Sequence, residues 1–208
     1  MKIHLPEILL LFNPIGRRND YYNRIFNQYN DIATYLSLYK KCTSDSWLKT
    51  EVEIGFSRSL KFDCTIDDVK KKLQKPNYHM RNNKDFKIDI LLYRTLIGNY
   101  KVKCQLHFFE NKLFFFNYTF PYLNKSANNE IISLLQKKYI SESVNYLGQN
   151  IIDNFNSCMQ ISNNVELTIN YVSLNCDFFN TIKLLSQVAE EQRIRKVSAL
   201  GRDIFAQL

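Results

Sequence analysis

The stretch KIDILLYRTLIGNYKVKCQLHFFENKLFFFNYTF, residues 87–120, decides the fold. Over Lys87–Thr95, Ile88, Ile90 and Leu92 alternate with Asp89, Leu91 and Tyr93, the period of two that points successive side chains to opposite faces of a strand. Gly98-Asn99 then supplies a two-residue hairpin turn. Tyr100–Phe109 places Val102, Cys104, Leu106 and Phe108 on one face and Lys101, Lys103, Gln105 and His107 on the other. Glu110-Asn111 makes a second tight turn. Lys112–Phe120 aligns Phe114, Phe116, Tyr118 and Phe120 on one face with Phe115 opposed, and Pro121 ends the run. Three strands joined by two tight turns predict an antiparallel meander.

Outward from the meander, the pattern changes period. Asp20–Lys40 carries apolar residues at Tyr22, Ile25, Phe26, Tyr29, Ile32, Ala33, Leu36 and Tyr39, spacings of three and four that predict one helix with an apolar stripe. Glu51–Phe56 alternates as a strand. Thr65 caps a short helix that runs to about Lys75, where Pro76 stops it, and Asp68 completes a capping box. Ser126–Tyr139 reads as helix and Val165–Val172 as strand, with Asn150–Ile161 open to either. Ile182, Leu185, Val188 and Ala189 mark a last helix from about Asp177 to Lys196. Runs of hairpin strands between helices predict an α+β fold, an antiparallel β-meander sheet packed by flanking helices with an N-terminal helix preceding it. The expected organisation is an N-terminal helical segment, residues 1–49, and an α+β domain over residues 50–208.

Composition supports a folded chain. It has 208 residues, 45% of them hydrophobic, with five Gly and four Pro, too apolar for disorder. The five cysteines, Cys42, Cys64, Cys104, Cys158 and Cys176, show no C-x-x-C spacing and sit beside apolar or small residues, as reduced buried thiols do. That favours a reducing, cytoplasmic setting. The opening apolar run Ile8–Phe12 is too short for a signal peptide, and no stretch approaches a membrane span of about 18 residues, so the chain reads as soluble and unprocessed.

The net charge is +8. Frequent Asn, Lys, Ile, Tyr and Phe, with five Ala and 19 Lys against nine Arg, are what an AT-rich genome writes by default. The charge is nevertheless localised: Ser59–Lys125 holds 13 basic and 6 acidic residues, whereas Ser126–Leu208 holds 7 and 8.

Within that basic region, TIDDVKKKLQKPNY (Thr65–Tyr78), followed by a meander that ends in Leu113–Phe116, resembles the helix-then-meander unit of the β-lactamase-inhibitor-like fold, also found in small outer-membrane assembly lipoproteins. Leu73-Gln74-Lys75-Pro76 matches that unit's Leu-Gly-x-Pro turn without its glycine. Cys64 stands where a small residue usually precedes the Thr. The resemblance covers Thr65–Phe120 and implies a non-enzymatic fold that binds another protein through a sheet face. The lipoproteins' signal and lipid-attachment cysteine have no counterpart here, so membrane assembly is not implied.

Catalytic signatures are missing. His4, His79 and His107 are far apart, and His107 shares its face with lysines, which repel a cation; a surface or half-buried imidazole is expected, with no metal and no cofactor. Cys104 lies on the opposite strand face from His107, so the two form no nucleophile–base pair. The five glycines are isolated, which excludes a phosphate-binding loop. Asp67-Asp68 is explained by helix capping. The chain is therefore read as no enzyme.

Two binding roles remain. The first is a cytoplasmic protein-binding module, of inhibitor or immunity type, whose sheet face presents Phe114, Phe116, Tyr118 and Phe120 as aromatic anchors to a protein partner. The alternative is a nucleic-acid-associated protein that meets phosphate through Lys70, Lys71, Lys72, Lys75, Arg81, Lys84 and Lys87, with Tyr78 and His79 stacking on bases.

Overall fold

The meander forms the centre of an eight-stranded sheet. In the computed structural model, which describes residues 14–44, 46–57, 59–83, 86–140, 149–163, 165–188 and 190–191, the helices α1 (Pro14–Tyr29), α2 (Ile32–Cys42), α3 (Ile66–Leu73) and α4 (Lys125–Tyr139) accompany strands β1 (Trp47–Thr50), β2 (Tyr78–Asn83), β3 (Ile88–Ile97), β4 (Tyr100–Phe109), β5 (Lys112–Phe120), β6 (Asn150–Asp153), β7 (Ser157–Asn163) and β8 (Leu167–Ser173). A fifth helix, α5, covers residues 177–188. The opening run Ile8–Phe12, Lys84 and the tail Arg193–Leu208 lie outside the described residues. The sheet order is β1-β6-β7-β8-β5-β4-β3-β2. The fold is α+β and the sheet is antiparallel throughout except at one edge, where β1 runs parallel to β6.

Each turn has a local cause. Glu110 and Asn111 both adopt positive φ, 48° and 65°, the paired left-handed geometry that matches hairpin twist. Gly98, at φ 58°, provides the same freedom between β3 and β4. Thr65 accepts from the Asp68 backbone N–H while the Asp68 carboxylate accepts from the Thr65 N–H, so α3 begins at a complete capping box.

Side chains of the sheet's two faces build two cores. On one face Leu91, Tyr93, Val102, Cys104, Leu106, Phe116, Ile169 and Tyr171 pack with Ile54, Leu60, Val69 of α3 and Ile131 of α4. On the other, Ile88, Ile90, Leu92, Phe115 and Val172 pack with Tyr22, Ile25 and Tyr29 of α1, Tyr35 and Leu38 of α2, and Phe178, Phe179 and Ile182 of α5. The molecule is thus a helix–sheet–helix sandwich.

Several expectations are corrected. The helix over Asp20–Lys40 is two helices, because Asp31 leaves the helical conformation to cap α2 by accepting from the Ala33 N–H. The strand expected at Glu51–Phe56 lies earlier, at Trp47–Thr50, since β6 offers its parallel partner there. Lys49 lies inside β1, and α1 and α2 form one wall of the second core. A β-bulge between His107 and Phe108 makes Phe114 the extra residue of β5: Phe108 pairs with Leu113 and His107 with Phe115. Phe114 therefore turns with Phe115 toward α2 and α5, where it meets Tyr35, Phe178 and Phe179.

Candidate ligand-binding cleft

The face beneath α1 and α2 is apolar at one end and polar at the other. Its first cross-strand row, Ile90–His107–Phe115–Val172–Cys158, is core. One step along, the row reads Leu92–Gln105–Asn117–Asn170–Gln160. The third reads Arg94–Lys103–Thr119–Thr168–Ser162. Four amides in register across β4, β5, β8 and β7, followed by three hydroxyls and a lysine, are unusual beneath helices, because buried polar groups cost stability unless bonded.

These two polar rows floor a cleft of about 870 Å³ between the α1–α2 pair and the sheet. Tyr21, Arg24 and Tyr29 of α1, Ser37 and Lys41 of α2, and Glu166 are among the other residues that line it, with Ile25, Leu38 and Phe115 as apolar wall. A smaller adjoining groove shares Ser37, Lys41 and Gln160 with it and adds Lys40 and Asn150.

The amides are cross-linked but not fully satisfied. Asn117 Nδ2 donates to Gln105 Oε1 and to Tyr29 Oη, both at 3.4 Å. Asn170 Nδ2 donates to Gln160 Oε1 at 2.7 Å, and Gln160 Nε2 to the Ile161 carbonyl at 3.1 Å. Asn117 itself is 2% exposed, yet its Oδ1 has no partner. A buried acceptor left unpaired costs about 1–3 kcal/mol.

At the β4 edge of the cleft, cations gather around one phenol. Arg24 Cζ, Arg94 Cζ and Lys103 Nζ stand 5.8, 5.7 and 5.2 Å from the Tyr21 ring centroid. Lys103 also bonds Glu166 at 3.3 Å. Burial raises the Tyr21 hydroxyl above its ordinary value, opposed by a hydrogen bond with Gln105 and by Arg94, so the phenol is neutral at physiological pH.

His107 lies behind this floor, wholly buried rather than at the surface or half-buried as expected. Its ring packs on Tyr29 and Phe115, and Nδ1 shares a 2.9 Å hydrogen bond with Tyr35 Oη. Burial holds it well below the usual imidazole value, so it is neutral. Among the described residues no three His, Cys, Asp or Glu side chains gather as a metal site would require. The cleft can therefore donate and accept hydrogen bonds and attract negative charge.

The predicted aromatic anchors are elsewhere. Phe114, Phe116 and Phe120 are buried, and Tyr118 is half-buried against Phe56 and Tyr171. Phe116 stacks on Tyr171 at 4.5 Å and Phe114 faces the opposite core, so the four present no common surface. The basic segment is also divided. Lys71, Lys72 and Lys75 are exposed in and just after α3, on one side of the sheet. Lys70 is partly buried, Arg81 and Lys87 are exposed, and Tyr78 stacks on Tyr22 of α1 on the other side of the sheet, at 4.5 Å. These residues do not line one groove.

The amide row was not anticipated as a site. Its signal was Asn117 and Gln105 inside otherwise apolar strand faces, but its extent depends on β5 pairing with β8, which local pattern does not reveal. No family model, curated protein or solved structure matches this chain.

Proposed function

We propose that this chain is a non-enzymatic binding protein that holds a small polar molecule in the cleft between α1–α2 and the sheet. The observation that carries this reading is the row of four amides, Gln105, Asn117, Asn170 and Gln160, that lines a cleft of about 870 Å³ beneath α1 and α2. A sheet face under helices folds more stably when apolar; polar side chains there are accounted for by a ligand that completes their hydrogen bonds.

The test is thermal unfolding of wild type and Asn117→Leu against sugars, nucleosides, amino acids, carboxylates and phosphorylated compounds. A ligand at about 100 times its Kd stabilises by about 2.7 kcal/mol, which for a chain of this size raises Tm by about 5–10 °C. The expected result is such a shift in wild type and none in the variant, each measured against its own ligand-free Tm. No shift with any class, or an equal shift in both proteins, refutes the reading.

A further inference from the structure

We infer that one end of the sheet is a docking surface for an anionic lipid bilayer, entered by the exposed tips of three loops and held by two lysines. This does not depend on what occupies the cleft.

Three connections meet at this end: the β3–β4 turn, the β5–α4 turn and the β7–β8 turn. Each exposes an apolar or aromatic side chain. Leu96 and Ile97 are 65% and 41% exposed, Tyr122 is 99% exposed and Val165 98%. Strand pairing sets them level. Ile97 pairs with Tyr100. Continuing the register from Lys103–Thr119 brings Tyr122 opposite Tyr100, and continuing it from Phe120–Leu167 brings Val165 opposite Tyr122. The row spans three strand spacings, about 14 Å. Apolar side chains exposed singly, as Phe155 is at the opposite end, are ordinary; a level row of them marks a contact surface. Tyr122 is also held at φ 63°, in the left-handed region that a bulky side chain rarely adopts. An aromatic ring there serves neither the turn nor the core.

The shape favours a bilayer over a protein partner. Leu96, Ile97 and Tyr122 line neither the cleft nor its adjoining groove, and Val165 stands at the cleft's edge. Tips on separate loops offer a protein no continuous groove or helix face. A bilayer takes each of them into its interfacial layer, where tyrosine in particular partitions.

Charge selects the lipid. Lys101, the cross-strand partner of Leu96, and Lys125, the first residue of α4, are exposed beside the tips. The first turn of α4 holds no acidic residue, so the positive end of the helix dipole adds to Lys125 instead of being offset. Nearby, Glu166 is paired with Lys103 at 3.3 Å, and Glu130 accepts from Tyr100 Oη at 3.2 Å. Lysines so placed are attracted by the surface potential of an anionic bilayer and not by a neutral one.

Sedimentation of the full chain with vesicles tests this, using phosphatidylcholine alone and phosphatidylcholine mixed with phosphatidylserine. Partition to the mixed vesicles should exceed that to the neutral ones about tenfold or more, and added salt should shrink the difference. Leu96→Ser/Ile97→Ser should weaken partition about tenfold or more, and Tyr122→Ser about threefold or more. Lys101→Ala/Lys125→Ala should weaken it about tenfold or more on the anionic vesicles alone. Phe155→Ser should bind as wild type, and an equal loss there would remove the assignment to this end. These side chains are all exposed, so urea unfolding of every variant should stay close to wild type. Absence of binding to both vesicles, equal binding to both, or tip variants that bind as wild type overturns the inference. If wild type instead self-associates, and Leu96→Ser/Ile97→Ser abolishes that with no lipid binding, the surface belongs to a second copy and the lipid reading falls.

Discussion

Replacing His107 should alter the acid sensitivity of the whole fold by a predictable amount. In the native state the imidazole is buried between Tyr29 and Phe115, and desolvation holds its pKa well below the ordinary 6.5. The sign follows from proton counting. Below pH 6.5 the unfolded chain takes up a proton that the native state refuses, so the unfolded state gains stability as pH falls. The contribution is absent well above pH 6.5 and grows by up to about 1.4 kcal/mol per pH unit until the native imidazole itself titrates. Between about pH 7.5 and pH 5 that amounts to a loss of about 2 kcal/mol from this residue. Asn at position 107 removes the titration and retains a polar atom toward Tyr35 Oη, the bond His107 makes through Nδ1. Urea unfolding of both proteins at the two pH values isolates the effect, because every other group is common to the two proteins and cancels in the difference. Wild type should lose about 2 kcal/mol more than His107→Asn over this interval. Parallel losses would refute a buried neutral imidazole, whatever the absolute stability of the variant.

Three further substitutions probe the frame around the cleft. Asp153→Ala removes a carboxylate that accepts from the Ile54, Phe155 and Ser157 N–H groups; stranding buried donors should cost about 3 kcal/mol or more in urea unfolding, and a cost under 1 kcal/mol would show those bonds to be replaceable by water. Thr65→Ala breaks the α3 capping box and should cost about 1 kcal/mol by the same measurement, with no change in cleft binding. Phe114→Ala should cost about 3–5 kcal/mol, as for any large core aromatic, whereas a surface anchor would cost almost nothing.

The parts of this fold that are legible in the sequence are those fixed by neighbours in the chain. The alternation in residues 87–120, the Glu110-Asn111 turn and the Thr65–Asp68 cap are local, and each appears where its residues imply. The break between α1 and α2 was also written locally, in Asp31, but a continuous apolar stripe from Tyr22 to Tyr39 masks it, since both helices pack the same side of the sheet. The bulge at Phe114 was not legible: three consecutive phenylalanines satisfy either register, and the choice is made by Phe178 and Phe179 on α5. The candidate site was least legible of all. Gln105, Asn117, Asn170 and Gln160 are ordinary polar residues until β5 pairs with β8, and strand pairing across some fifty residues leaves no periodic trace. Its floor becomes visible only as a row.

The parallel pairing of β1 with β6 has a consequence for the order of assembly. These strands are separated by roughly a hundred residues of chain, so their union carries a large loop-closure cost and forms late, whereas the β3–β5 hairpins close within tens of residues. The α1–α2 pair is carried into place by β1. The wall over the amide row is accordingly expected to dock last and to open while the meander stays intact. In native-state hydrogen exchange, amides of α1, α2 and β1 would then report a low-energy opening shared among themselves and distinct from that of β4 and β5. A molecule in the cleft would suppress that opening first, so occupancy would be read as slowed exchange in α1, α2 and β1.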